Sequence, residues 1–279
     1  MTIDNKPYIA VLMTCHNRKD LTLASMRSVT HAVGSTARYR FYLVDDGSTD
    51  GTADAVIREF PDAQVIQGDG NLYWNRGMRL SWQAAQASGP DFFLWLNDDT
   101  LLRRSALTDL LSLYLQTENP KTIVVGCTAD PQTGEITYGG YRRARKLSRL
   151  SLRRLRVDET ECDTMNGNCV LFPARVVADI GINSRHYTHA FGDNDYGHRA
   201  RKAGYRIVEL KEPVALQSRN RKYEEASSRL TFQNWRFILR HPKGVPVAEW
   251  WAFCREHGGL LWPINFLMRY LKILQLRRS

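Results

Sequence analysis

Two adjacent carboxylates, Asp98 and Asp99, close the apolar run Phe92-Phe93-Leu94-Trp95-Leu96, with Asn97 between. A run of that kind reads as a buried strand. Two other predicted strands end the same way: residues 8–14 run into Cys15-His16-Asn17-Arg18, and residues 41–44 into Asp45-Asp46. In open α/β sheets, ligands bind outside the carboxyl ends of the strands, so the three polar ends are expected to converge on one crevice. A carboxylate pair beside a phosphate-binding crevice suits a hard divalent cation, Mg²⁺ or Mn²⁺, which takes one or two protein carboxylates and completes its shell with water and substrate phosphates. Such an ion can neutralise a departing diphosphate, and transfer to a hydroxyl then needs a base. Phe191-Gly192-Asp193-Asn194-Asp195-Tyr196, on a turn before a predicted helix, offers two carboxylates for that role, with aromatic neighbours able to raise a pKa. Helix capping is the competing use of these acids: Asp98 or Asp99 would cap the next helix, and one of Asp193 and Asp195 would cap while the other stays free.

The elements that must position these groups alternate. Strands are expected at 8–14, 41–44, 63–67 and 91–96, with helices at 19–33, through 56–60 and at 75–87. That order implies βαβ units, a mainly parallel sheet flanked by helices, and right-handed crossovers. Leu107, Leu110, Leu111, Tyr114 and Leu115 mark a further helix; strands follow at 123–126 and 164–173, a helix at 195–203, and strands at 206–210 and 214–217. The last sixty residues read as helical and rich in tryptophan.

The net charge of +10 suggests an anionic partner. Residues 142–156 hold eight Lys or Arg and no acid; without them the net charge is +2. Unpaired cations are costly to bury, so this run is expected to be a mobile segment at the mouth of the site. It has one aromatic beside it, Tyr141, too few for a stacking platform, which argues against nucleic acid as the partner. Gly68-Asp69-Gly70-Asn71 lacks the third glycine of a dinucleotide fingerprint. Five scattered cysteines with no Cys-x-x-Cys pair point to reduced thiols in the cytoplasm, and the apolar run 9–13 is too short for a signal peptide.

In this order, Thr14-Cys15-His16-Asn17-Arg18, Val44-Asp45-Asp46-Gly47-Ser48-Thr49-Asp50-Gly51-Thr52, Leu96-Asn97-Asp98-Asp99 and Gly192-Asp193-Asn194-Asp195-Tyr196 resemble the inverting family 2 glycosyltransferases over roughly residues 7–217. The resemblance implies a GT-A fold, a UDP- or dTDP-sugar donor and a divalent metal. Asn97-Asp98-Asp99 matches the family's Asp-x-Asp position, with Asp99 as metal ligand and Asn97 and Asp98 facing ribose and diphosphate. Asp45 and Asp46 match the residues that recognise base and ribose, and Thr14, His16, Asn17 and Arg18 line the same pocket. Asn71, Trp74 and Arg76 would sit near the donor, although Trp74 reads equally well as core. Asp193 matches the catalytic base; Asp195 matches the next acidic position and, with Asn166 and Gly167, would lie on the acceptor side. Several relatives carry a histidine metal ligand where this chain has Gln217 and Ser218.

On this reading residues 1–217 form the catalytic domain, with 1–100 the nucleotide-sugar half and 101–217 the acceptor half, and 218–279 a helical region. The setting implied is assembly of lipid-linked O-antigen, capsule or another surface polysaccharide, in the cytoplasm and peripheral to the inner face of the membrane. The acceptor would be a glycan or lipid-linked glycan. Residues 260–276 are too short and too charged to span a bilayer. Their apolar face is expected to enter lipid with Arg269 and Lys272 at the headgroups, or to pack on the domain or on a second subunit as a homodimer. An inactive scaffold is the alternative among relatives, opposed by the intact Asp99 and Asp193.

Overall fold

The computed structural model describes residues 6–145, 148–219 and 231–275. Strand β1 (Tyr8–Cys15) is followed by α1 (Lys19–Val33), β2 (Arg38–Asp45), α2 (Thr52–Glu59), β3 (Gln64–Gln67), α3 (Tyr73–Gln86) and β4 (Phe92–Leu96). These are the expected βαβ units. Next come β5 (Leu101–Leu102), α4 (Ala106–Gln116), β6 (Thr122–Val125), β7 (Thr128–Ala129), β8 (Ile136–Tyr138), β9 (Gly140–Arg143), β10 (Leu152–Arg154), β11 (Thr164–Met165) and β12 (Cys169–Pro173). The chain continues with α5 (Arg175–Ile180), α6 (Gly192–Lys202), β13 (Arg206–Glu209), β14 (Ala215–Leu216), α7 (Phe232–Arg240), α8 (Val247–His257) and α9 (Trp262–Gln275).

Seven strands form the central sheet in the order β13-β6-β12-β4-β1-β2-β3. The pairs β4-β1, β1-β2, β2-β3 and β13-β6 are parallel, while β12 runs antiparallel to both its neighbours. Ile9 to Met13 on β1 are fully buried because both sheet faces are covered, which is why that strand is continuously apolar. One apolar layer lies under α1, α2 and α4. The other, under α3 and α6, stacks Trp82, Trp95, Phe172 and Tyr196 with ring centroids 4.7–5.4 Å apart. All five cysteines are free and buried.

Two expectations are corrected here. The strand expected over 164–173 is two strands in different sheets, broken at Asn166-Gly167-Asn168. Gly167 lies so close to the Trp74 and Trp95 rings that a Cβ would collide with Trp74, so the chain bends at the one residue without a side chain. The described residues of the basic run, 142–145 and 148–156, are also built into the fold. The β9 and β10 strands pair antiparallel, Arg153 opposite Arg142 and Arg154 opposite Tyr141. Arg153 makes a two-pronged contact with Glu159 at 2.6 and 2.7 Å, and Arg142 reaches the same carboxylate. Arg154 grips the buried Glu209 at 3.0 and 3.1 Å. The expectation of a mobile segment failed because its acid partners lie outside the run, at positions 159 and 209.

The C-terminal helices pack on the rest of the chain through a third apolar cluster, which joins Ile238, Val245, Trp250, Phe253 and Ile273 to Tyr187 and Phe191. Among the described residues no helix is long and apolar enough to cross a membrane.

Arg154→Ala is expected to cost about 2 kcal/mol in chemical denaturation. That is below the roughly 3–5 kcal/mol for breaking a fully buried pair, because Arg154 keeps 26% of its side chain in water. Amide exchange in β9 and β10 should quicken with it.

Candidate active site

A cleft of about 530 Å³ opens at the carboxyl ends of β1, β2 and β4, within the usual range for a small-molecule site. Its position follows from the parallel order: β1, β2 and β4 all point the same way, so their polar ends meet.

At the end of β4 the carboxylates are paired rather than capping. Arg18 Nη1 donates to Asp98 Oδ1 at 3.2 Å and to Asp99 Oδ2 at 2.8 Å. The next helix, α4, is preceded by Ser105 and has no side-chain cap. Burial pushes the Asp98 carboxyl up to about 7, against the pull of Arg18, and Asp99 beside it adds to the rise. Gln217 holds the pair from the far side. Its Nε2 donates to Asp99 Oδ1, while its Oε1 accepts from Thr100 Oγ1 at 2.7 Å and Asn168 Nδ2 at 2.8 Å. Ser25 Oγ on α1 closes the turn by donating to the carbonyls of Asn97 and Thr100. Asn97 Oδ1 accepts from Trp74 Nε1 at 2.7 Å, and the Trp74 ring stands edge-on to Trp95 at 5.3 Å. Trp74 is thus both cleft wall and core.

The end of β2 organises backbone. Asp46 Oδ1 accepts from the Gly70 and Leu72 N–H groups and Oδ2 from that of Tyr73. Its own carbonyl meets His16 Nδ1 at 2.5 Å. Gly47, with φ +69°, passes so near Gly70 that a Cβ would stand 2.9 Å from its nitrogen. These contacts clamp the loop after β3 against β1 and β2.

Asp193 lies half-buried on the cleft wall in the first turn of α6, which starts at Gly192, three residues before the start expected from sequence. Oδ1 accepts from the Asn194 N–H at 2.7 Å and Nδ2 at 2.9 Å. Oδ2 accepts from the Gly167 N–H at 3.1 Å and Asn166 Nδ2 at 3.5 Å. Burial raises its pKa, and these donors oppose the rise. Phe191 precedes the helix at φ +69°, a left-handed conformation that a bulky residue adopts only under constraint. The constraint is its ring, packed on Trp250 at 5.2 Å and Phe253 at 5.3 Å of α8. From below, Gly192 abuts Asn75 of α3, whose Nδ2 donates to the carbonyls of Ser184 and Tyr187.

Of the residues expected at the site, Thr14, His16, Arg18, Asp46, Trp74, Asn97, Asp98, Asp99, Asn166, Gly167 and Asp193 line the cleft. Five do not. Asp45 is buried and accepts from the Ser48 N–H, Asn17 Oδ1 accepts from the Thr49 N–H, and Asn71 and Arg76 are exposed outside the cleft wall. Asp195 is fully buried, with Oδ2 2.9 Å from Arg199 Nε and Oδ1 2.9 Å from His257 Nε2. It ties α6 to α8 and lies outside the cleft wall. Neither Asp193 nor Asp195 caps α6, and neither is free, contrary to expectation.

Tyr138, His189, Lys243 and Arg269 complete the wall and were not expected there. Burial drives His189 down to about 3, so it is neutral, and its Nδ1 accepts from the Trp74 N–H. The one available signal was Arg269, in a polar stripe on an otherwise apolar helix.

Asp99 offers hard oxygen atoms with 26% of the side chain exposed, which fits Mg²⁺ or Mn²⁺. The fit has a competitor in Arg18, and Gln217 Nε2 donates to the same carboxylate. Among the described residues, the grouping of three ligand-bearing side chains close enough to share an ion is Asp195, Glu256 and His257. It is absent from the cleft wall, and Asp195 already serves Arg199 and His257.

The family model for Glycosyl transferase family 2 matches residues 10–181. No curated protein matches the chain. The fold is similar to that of S. aureus TarS 1-349 in complex with UDP-GlcNAc, at 12% identity over 87% of this chain and 66% of that one, with a TM-score of 0.56. The TarS 1-349 complex with UDP gives 14% identity over 79% and 63%, with a TM-score of 0.57. A crystal structure of S. aureus TarS gives 13% over 89% and 42%, with a TM-score of 0.57. The chain thus spans just under two thirds of the TarS 1-349 chains and less than half of the longer one.

Gln217→Leu keeps the volume and strands Thr100 and Asn168. Each unsatisfied group costs about 1–3 kcal/mol, so denaturation should show a loss of about 2 kcal/mol or more. Gln217→Glu should keep the two donors satisfied but repel Asp99.

Proposed function

Because this chain belongs to glycosyl transferase family 2 and has a GT-A fold, we propose that it is an inverting glycosyltransferase, moving a sugar from a UDP- or dTDP-linked donor to a hydroxyl of a glycan acceptor. One observation carries the reading: Asp193 and the Asp98-Asp99 pair, far apart in the sequence, line the same cleft. The TarS complexes with UDP-GlcNAc and UDP support a nucleotide-sugar donor.

In this reading Asp193 accepts the proton of the acceptor hydroxyl as its oxygen attacks the anomeric carbon. The bond from that carbon to the diphosphate oxygen breaks on the opposite face, which inverts the centre. Asn166 orients the acceptor; its Oδ1 is buried with no donor among the described residues and suits a second hydroxyl. Thr14, His16, Asp46, Trp74, Asn97 and Asp98 shape the donor side, while Asn17, Asp45, Asn71 and Arg76 act on it through the loops they hold. A Mg²⁺ or Mn²⁺ ion held by Asp99 would supply charge neutralisation of the leaving diphosphate. Arg18 serves the carboxylates before the donor arrives. The setting we propose is assembly of a lipid-linked surface polysaccharide such as O-antigen or capsule, on the cytoplasmic side of the membrane.

A panel of UDP- and dTDP-sugars tests the donor: one should raise the melting temperature and be hydrolysed slowly, and silence across both series would overturn the reading. Asp193→Asn should lower turnover about 10²-fold or more with donor affinity little changed. Burial raises the Asp193 pKa, so its protonated, inactive form persists to higher pH than for an ordinary carboxyl. The acidic limb of kcat/KM should therefore lie above the usual carboxylate range near 4. Asp99→Ala should abolish transfer, and EDTA should do the same to the native chain. Calorimetry without nucleotide should find Mn²⁺ bound about tenfold more tightly by Arg18→Gln than by the native chain, since removing the guanidinium removes a competing cation worth at least 1.4 kcal/mol.

A further inference from the structure

Helix α9 carries a second apolar side besides the one it packs on the protein. Two of its polar members reach the protein: Asn265 Oδ1 accepts from Ser148 Oγ at 2.8 Å, and Arg269 lines the cleft with its guanidinium 6.0 Å from the Trp250 ring. Trp262, Phe266, Tyr270 and Ile273 join the third apolar cluster, while its aliphatic members on the other side turn outward. Ile264, Leu267, Leu271 and Leu274, with Leu260 in the turn before the helix, repeat at intervals of four and three and form one stripe. Leu260 is 99% exposed, Leu267 59% and Leu271 46%, and Met268 beside them is also exposed. The opposite side of the helix is anchored, by Trp250 Nε1 donating to the Phe266 carbonyl and Tyr270 Oη donating to that of Val245. The outward stripe is therefore not a helix waiting to fold back on its own core.

The surroundings of the stripe are cationic. Arg149 Nε lies 3.0 Å from where a Cβ of Gly259 would stand, at the start of the stripe. Lys272 is exposed on α9, and Arg255 is exposed on α8 with its guanidinium 5.2 Å from the ring of Trp251, itself 41% exposed. Residues 259–275 contain no acid, and Glu256 is the exposed acid nearby.

We propose that this face docks on an anionic lipid surface. Apolar side chains would enter the acyl boundary and the flanking cations would meet the headgroups, with Trp251 at the interface. The charge pattern selects this occupant. A second copy would bring Arg149, Arg255 and Lys272 against cations on a chain of net charge +10, whereas acidic headgroups neutralise them. The apolar face expected to enter lipid is kept in this proposal; what changes is Arg269, which lines the cleft. Since Arg269 shares a helix with the stripe, docking would set the cleft mouth beside the bilayer, within reach of an acceptor carried on a lipid. That consequence rests on the transfer reading above; the docking does not.

The test is co-sedimentation of the full chain with vesicles of phosphatidylcholine alone and of phosphatidylcholine mixed equally with phosphatidylglycerol. Binding is expected to the mixed vesicles only, and to weaken with added salt. The double variant Leu267→Glu, Leu271→Glu should bind about tenfold or more weakly, since two charges replace inserted apolar groups, with an unchanged melting temperature and an unchanged shift on adding UDP or dTDP. No binding of the native chain to anionic vesicles, or equal binding by the variant, overturns the proposal. It also fails if light scattering finds the native chain dimeric and the variant monomeric, for the stripe then covers a second copy. A failed donor screen with intact vesicle binding would sink the transfer reading and leave docking standing.

Discussion

The structure depends on keeping two adjacent carboxylates at the end of a buried strand. Removing such charges from water is costly unless they are paired and hydrogen-bonded. Arg18, at the end of β1, supplies the positive charge. Gln217, just after β14, supplies a neutral donor on the other side, and its own carbonyl is satisfied by Thr100 and Asn168. Residues far apart in sequence are thus committed to one cluster. The order β4-β1-β2 in the sheet brings the end of β1 beside that of β4, and the pairing of β14 with β5 brings Gln217 there.

The second half of the cleft rests on a different device. Asp193 is presented by a turn that Phe191 makes in a left-handed conformation, and a turn of that kind persists only where packing enforces it. The enforcement comes from Trp250 and Phe253 in the C-terminal helices, with the Asp195–His257 contact as a second tie between α6 and α8. The helical region after residue 231 is therefore part of the site's support. It also delivers Lys243 and Arg269 to the cleft wall. A division of the chain at residue 217 separates pieces that share one apolar cluster.

Cations have two fates in this chain. Arg18, Arg153 and Arg154 are spent on carboxylates, and Arg149, Arg255 and Lys272 stand around an apolar face. The net charge of +10 alone does not separate these uses. A guanidinium beside a half-buried acid is structural, whereas one beside exposed leucines and an indole is available to a partner.

Amino-acid order alone determined the alternating strands and helices of the first hundred residues. An apolar run buried on both faces, as in β1 and β4, leaves a local pattern. The polar ends Asp46, Asp98 and Asp99, and Asp193 as a carboxylate near a helix start, were legible for the same reason, because each sits at a break in periodicity. What tertiary structure decided was partnership. Residues 164–173 read as one strand because nothing local reveals that Gly167 must pass between Trp74 and Trp95. The run 142–156 read as unpaired because Glu159 and Glu209 lie outside it, and Asp195 read as an acceptor-side residue because its partner His257 is 62 residues away. In α9 the helical period showed an apolar face and a polar stripe, but periodicity is symmetric under rotation of the helix. Only the anchoring of Trp250, Phe266 and Tyr270 determined which face meets the protein and which is left to solvent.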